Sequence, residues 1–249
     1  MSLPRFRPTG GAPAHEQIER WLARTVDSGR LVPGDRLPAE RELAQRLGVS
    51  RMTLRRALDT LERQGRVRRV IGRSGGTFVE APPRVECDLT TVVGFTETVR
   101  RAGLAAGAVV VEAERVRAPR PVAVALGLGH GQSAVSVVRV RSAGGEPVAL
   151  EHSWFPAGLL PGLLQHPLDG SLYALLHEAY DRRPTHADEA LEPVVADTDE
   201  AALLEVAPGS PLMRIERTAY DRGGTPVEFA RDLFRGDRSR FVLRSTLTP

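Results

Sequence analysis

The sequence contains no lysine: all 34 of its basic side chains are arginines. That absence excludes two large classes of chemistry. A Schiff-base cofactor such as pyridoxal phosphate needs a lysine amine, and a Walker-type loop needs one to reach bound phosphates. Cysteine is nearly absent as well. The single Cys87 excludes an intrachain disulfide and fits a reducing, cytoplasmic location. As a lone thiol it reads as a small buried hydrophobe. No apolar run approaches the ~20 residues of a membrane span, and the N-terminus shows no signal-peptide core, so no membrane partner is expected. The six histidines are scattered. With no Ser/His/Asp order and no metal-ligand spacing, neither cofactor, metal nor catalysis is expected.

What is present is unevenly spread. Residues 1–82 hold 16 of the arginines against 9 acidic residues, a net of +7; the remainder nets −4, and the chain +3. A basic third beside a mildly acidic remainder suits a polyanion-binding module joined to something else. The 249 residues allow one or two domains. We read 1–13, rich in proline and glycine, as a flexible arm and 14–80 as a first domain. Residues 81–87 form a linker around Ala81-Pro82-Pro83, because two prolines cannot continue a strand. A second domain then fills 88–249.

Within the first domain, Ile18, Trp21, Leu22 and Val26 recur at helical spacing over His15–Ser28. A second helix is expected from about Ala39 to Leu47, with Leu43, Ala44 and Leu47 inward. Gly48 breaks it. Ser50 is a natural N-cap and Gly65 a natural C′ residue for a third helix carrying Leu54, Ala57, Leu58 and Leu61 on one stripe. Met52, Arg55, Arg56 and Asp59 then point outward, with Arg51 and Thr53 in the exposed first turn. Val67–Ile71 and Thr77–Val79 read as strands joined by the glycine-rich Gly72–Gly76. Two helices across a tight turn, followed by a hairpin, have the layout of a winged helix-turn-helix, which places its second helix in the major groove of DNA. Arginine there can fork onto guanine or clamp a phosphate. Arg41 lies near a helix N-terminus, where a phosphate is also favoured. Arg68, Arg69 and Arg73 supply charge along the wing, and glycines such as Gly76 let the backbone approach DNA. The candidate DNA-binding residues are therefore Arg41, Ser50, Arg51, Thr53, Arg55, Arg56, Arg73 and Gly76.

The second domain alternates helices with strands. Arg141–Val148 and Tyr220–Val227 share one layout: Gly-Gly in a turn, then Pro-Val entering a return strand. Two hairpins of one design imply a largely antiparallel sheet with helices on it, an α+β domain. Arg139 and Arg141 share a strand face by the two-residue period, as do Glu151, Ser153 and Phe155. If those faces turn inward, guanidiniums, a carboxylate and a hydroxyl converge, which suits an anionic, hydroxyl-bearing ligand; Glu228 could add an acceptor. The alternative is a solvated cross-strand Arg–Glu ladder.

Leu37–Ala44, Val49–Arg51, Thr53–Leu58, Leu61 and Gly76–Val79 resemble the GntR family of bacterial repressors. The resemblance implies DNA contact at Arg41, Arg51, Thr53 and Arg55. Ala39 departs from the serine of many members, and the wing tip is about two residues longer than their common form. The remainder is similar to the effector-binding (UTRA) domain of the HutC-type branch, through Gly94–Glu97, Arg139–Arg141, Glu146–Val148, Glu151–Pro156, Pro226–Phe229 and Arg235–Arg238. This implies a chorismate-lyase-like fold that binds a small molecule and dimerises, with Arg139, Arg141, Ser153, Phe155, Glu228 and Phe234 lining its pocket. Phe155 stands for a tyrosine, Gly94 for a serine and Ser239 for an aromatic common in sugar-phosphate sensors. The expectation is a homodimeric, effector-responsive repressor on a palindromic operator. A ligand-blind dimeric DNA-binding regulator and an enzyme with a DNA-binding appendage remain open alternatives.

Overall fold

A computed structural model of the chain describes residues 3–6, 11–27, 29–72, 75–80 and 84–245. The chain forms two compact units, 1–83 and 84–249.

The first unit holds α1 (Ala14–Asp27), α2 (Glu40–Leu47), α3 (Arg51–Arg63), β1 (Val67–Val70) and β2 (Gly76–Val79). The three apolar stripes meet: Ile18 and Leu22 of α1, Leu43 of α2 and Leu54, Leu58 and Leu61 of α3 are almost wholly buried. Each such side chain contributes about 1.5–3 kcal/mol relative to staying exposed. Gly48 and Gly65 end α2 and α3 in the left-handed region, at φ +67° and +66°. β1 and β2 pair antiparallel from Val67↔Val79 to Val70↔Gly76. The segment ahead of α2 also joins the wing, through Leu37 N–H to Thr77 O and Val79 N–H to Asp35 O, both at 2.8 Å. One expectation is corrected here. Residues 3–6 belong to the stretch read as a loose arm, yet Leu3 and Phe6 pack on this core, Phe6 meeting Trp21 edge-on at 5.7 Å.

The second unit begins one strand earlier than expected. Val85–Asp88, of which Val85–Cys87 were given above to the linker, is β3, and it pairs in parallel with β10 (Ser239–Val242). The pairing joins residues more than 150 positions apart, so no local pattern announces it. Between them lie α4 (Phe95–Arg101), β4 (Ala106–Arg117), α5 (Arg120–Ala125), β5 (Ser133–Ala143), β6 (Glu146–Pro156), α6 (Leu172–Tyr180), β7 (His186–Val195), α7 (Thr198–Leu203), β8 (Pro211–Tyr220) and β9 (Pro226–Arg235). Six strands form one antiparallel sheet in the order β4-β5-β6-β9-β8-β7. The order describes a duplication: β4-α5-β5-β6 and β7-α7-β8-β9 are the same strand-helix-hairpin unit, joined at β6 and β9. Each hairpin carries a register shift, after Arg141 in one and after Ala219 in the other. Gly144 and Gly145 take φ +60° and +87°, the two positive values a tight hairpin turn requires.

One sheet face packs α5 against Trp154 and Phe229, and α7 against Leu150 and Leu212. The other face carries α6 over Val135, Val137 and Phe155, and α4 with β3 over Ala149, Ile215 and Phe234. Arg139, Arg141, Glu151, Glu228 and Asp232 of the central strands lie on this second face, on the side of α4 and α6.

Candidate DNA-reading surface and effector cleft

The Ser50 hydroxyl caps α3: its Oγ accepts the Thr53 N–H at 3.0 Å and lies 2.8 Å from Thr53 Oγ1. Both side chains are thus engaged in starting the helix. Ser50→Ala is expected to lower first-domain stability by about 1 kcal/mol, read as a shifted urea midpoint with unchanged slope. Arg51, Arg55 and Arg56 are exposed, and Met52 is 64% exposed between them. Arg55 leans toward Glu40 of α2 at 3.6 Å. Arg41 is exposed in the first turn of α2, whose N-cap Ala39 provides no side-chain hydrogen bond. The free N–H groups of that turn favour an anion.

The wing is less available than its composition implied. Arg69 donates to Glu62 at 2.7 Å and pairs with Asp59, which draws it back onto α3 and holds the Glu62 carboxyl below its usual range. Arg68 pairs with Glu80 at 2.6 Å. Arg73 lies outside the described residues. Arg36, not singled out by the sequence, donates to the Gly75 carbonyl, and its guanidinium is 6.0 Å from the centre of the Phe78 ring. A Cβ on Gly75 would collide with the Val70 carbonyl oxygen, and one on Gly76 would come within 2.6 Å of Arg36 Nε. The wing glycines thus have a steric reason of their own, before any DNA is considered.

In the second unit the expected convergence of Arg139, Arg141 and Glu151 is present. Arg139 faces Glu151 across β5 and β6 and donates to its Oε2 at 2.6 Å; Arg141 donates to Glu151 at 3.0 and 3.2 Å. Arg139 also holds the Leu168 and Gly170 carbonyls, both at 2.9 Å, and Arg141 holds Thr96 Oγ1 at 2.8 Å and lies 4.6 Å from the Phe95 ring centre. All three side chains are buried, at 10% exposure or less, so the arrangement is no solvated ladder. Burial pushes the Glu151 carboxyl up, but the two guanidiniums outweigh it and hold it below the usual range.

Ser153 and Glu228 line a narrow cavity with these groups, under the N-termini of α4 and α6. Tyr173 donates to Glu228 at 2.8 Å. A larger cleft of about 530 Å³ opens beside it, bounded by Phe234, Arg217, Asp232, Glu189 and β3. Phe155 is the correction in this group. It shares the strand face, but it is wholly buried between Val135, Val137 and α6 and lines neither cavity. Periodicity assigns a face, and it cannot say how far along that face the helix cover ends. Arg217 and Asp232 were missed. Asp232 was within reach, since Glu228, Asp232 and Phe234 alternate on one face of β9. Arg217 becomes visible only through the duplication, because the register shifts align it with Arg139.

Cys87 borders the larger cleft, and burial pushes its thiol up to about 12, so it is no thiolate nucleophile. Burial also lowers His152 to about 4; it stacks on Trp154 at 3.6 Å and meets Ser136 Oγ at 2.8 Å, as a neutral, satisfied ring. Among the described residues no cluster could hold a metal ion, and no helix is long and apolar enough to cross a membrane.

A winged helix-turn-helix followed by an α+β domain with a polar cleft defines a DNA-binding transcriptional regulator with an effector-binding module. The chain belongs to the GntR family of bacterial regulatory proteins: residues 14–79 match that family and residues 101–240 match the UTRA domain. It is 37% identical to the HTH-type transcriptional repressor NagR of Bacillus subtilis (strain 168), over 92% of this chain and 93% of that one. It is 35% identical to the HTH-type transcriptional repressor PhnF of Mycolicibacterium smegmatis, over 94% of each. The crystal structure of PhnF from Mycobacterium smegmatis superposes with a TM-score of 0.65 at 31% identity, covering 94% of this chain and 100% of that one. These relatives are transcriptional regulators.

Proposed function

We propose that this protein is a homodimeric repressor that grips a palindromic operator with two winged domains and is released by a small anionic metabolite, a phosphosugar being the leading class. Domains 14–80 and 84–249 divide the two tasks. Arg51, Arg55 and Arg56 on the open face of α3, with Arg41 on α2, are the DNA contacts; Ser50 and Thr53 set the helix start that presents them. Two-fold protein symmetry implies a two-fold operator.

One observation carries the effector reading: two buried guanidiniums and the N-termini of two helices, α4 and α6, border one narrow cavity. Helix N-termini and arginine forks both favour an anion, while Ser153 and Glu228 there suit ligand hydroxyls. Arg139 commits three of its five N–H groups, to Glu151 and the Leu168 and Gly170 carbonyls, which leaves two to spare. Release requires the ligand to bind the non-operator arrangement more tightly, because equal affinity for both would shift nothing.

Glucose 6-phosphate and inorganic phosphate serve as test ligands. The sugar phosphate is expected to raise the melting temperature of the protein and weaken operator binding about 10-fold, a coupling of roughly 1.4 kcal/mol. Arg139→Ala is expected to abolish that response while operator affinity without ligand stays within about two-fold. A normal response in Arg139→Ala would remove this residue from the site. A protein indifferent to every sugar phosphate and organic acid tried would favour the ligand-blind reading.

A further inference from the structure

The cavities of the second domain are polarised. Between α4 and α6, the walls carry Arg100, Arg101, Arg183 and His177 against Glu97 and Glu178. The adjoining cleft, which shares Val92, Val93 and Tyr173 with that space, carries Asp88, Glu151, Glu189 and Asp232 against Arg217 and His186. The cations of the cleft are already committed. Arg217 Nε donates to Glu189 at 2.5 Å and its Nη1 lies 3.4 Å from Asp232 Oδ2. Glu151 is paired with Arg139 and Arg141, which border the narrow cavity and not the cleft.

Among the described residues that line the cleft, one buried side-chain atom remains unsatisfied. Asp232 is only 2% exposed, it lines both the cleft and the narrow cavity, and its Oδ1 has no hydrogen-bond partner among the described residues. A buried carboxylate oxygen without a donor is unfavourable, and native structures rarely leave one so. Its surroundings call for positive charge. Burial, and the Glu151 and Glu228 carboxylates, push the Asp232 carboxyl well above the usual range, although Arg217 opposes them. A metal ion does not meet the need, since no group of three His, Cys, Asp or Glu side chains could hold one among the described residues. An organic cation does.

We propose that the effector carries a protonated amine that docks on Asp232 Oδ1, so that the ligand is a small zwitterion, anionic at the arginine and helix end and cationic at the β9 end. This rests on the effector reading above and narrows it. A hydroxyl could also donate to Oδ1, but only an ammonium offsets the surplus of carboxylates in the cleft. Glu189, 21% exposed, lines the same cleft and adds to the field the amine meets.

Matched pairs of short ligands test this with the full-length protein: ω-aminoalkyl phosphates, ethyl to hexyl, against ω-hydroxyalkyl phosphates of equal length, each titrated by calorimetry. At the best chain length the amine is expected to bind about 10-fold or more tightly, as a charge-assisted hydrogen bond to a buried group implies. Asp232→Asn, which keeps the shape, is expected to bind amine and alcohol within about two-fold of each other. Glu189→Gln, at a more exposed position, should narrow the preference about three-fold and serves if the first variant fails to fold. Equal binding at every length, a preference for the alcohol, or a preference that survives both substitutions would overturn the proposal. Equally tight binding of amino alcohols lacking phosphate would instead sink the anionic reading and leave the role of Asp232 standing.

Discussion

Glu151→Ala is expected to destabilise the second domain by about 3–5 kcal/mol. The carboxylate is the shared counter-charge of Arg139 and Arg141, and neither guanidinium can retreat to water: their side chains are 4% and 3% exposed. Removing the acid leaves two like charges buried on neighbouring positions of one strand. Glu151→Gln keeps the shape and some acceptor capacity, so its loss should be smaller. Replacing all three with apolar residues of similar volume should restore most of the stability, because the triad's own desolvation then disappears. Urea unfolding followed through Trp154, with Trp21 changed to Phe, reads the second domain alone. Loss below about 1 kcal/mol in Glu151→Ala would mean the arginines find other partners. The same residue sets an acid limit. Its folded pKa is depressed, so its contribution is present above the unfolded glutamate value of about 4.3 and is lost as pH falls through the folded value.

Arg51→Ala is expected to weaken operator binding by about 1–3 kcal/mol, roughly 5- to 150-fold, without a change in melting temperature. Arg51 is exposed in the first turn of α3 and has no ion-pair partner among the described residues to lose, unlike Arg55, which leans on Glu40. Salt separates its two modes of action. If Arg51 clamps a phosphate, the slope of log affinity against log salt should flatten by about 0.9. If it forks onto a guanine, the slope should hold and discrimination at one base pair should collapse. Fluorescence anisotropy across a salt series decides between them, and unchanged affinity would refute any contact. The wild-type slope should itself be steep, about −0.9 for each phosphate neutralised.

The first domain was legible because its signals are local. The stripe Leu54, Ala57, Leu58 and Leu61, the Ser50 cap and the Gly65 stop all lie within sixteen residues, and the helix follows them. The hairpins of the second domain were legible for the same reason, through Gly144-Gly145 and Gly223-Gly224. What was not legible depends on distance along the chain. The β3–β10 pair and the backing of the wing by Asp35–Leu37 each join segments whose own patterns are unremarkable. The arginines of the wing illustrate a second limit. Composition counts charges, yet Arg69 and Arg68 spend theirs on Glu62 and Glu80. Phe155 illustrates a third: it shares the face of Ser153, and one further step along β6 carries it under α6.

The placing of β3 has a mechanical corollary. Cys87 and Asp88 are wall residues of the cleft, and Arg84, immediately before the same strand, is where the second unit begins. The pocket wall and the start of the second unit are therefore one continuous strand, clamped by β10 at Val85, Glu86, Cys87 and Asp88. A load applied at Cys87 reaches Arg84 over three residues, about 10 Å of extended chain, with no helix or loop between to absorb it.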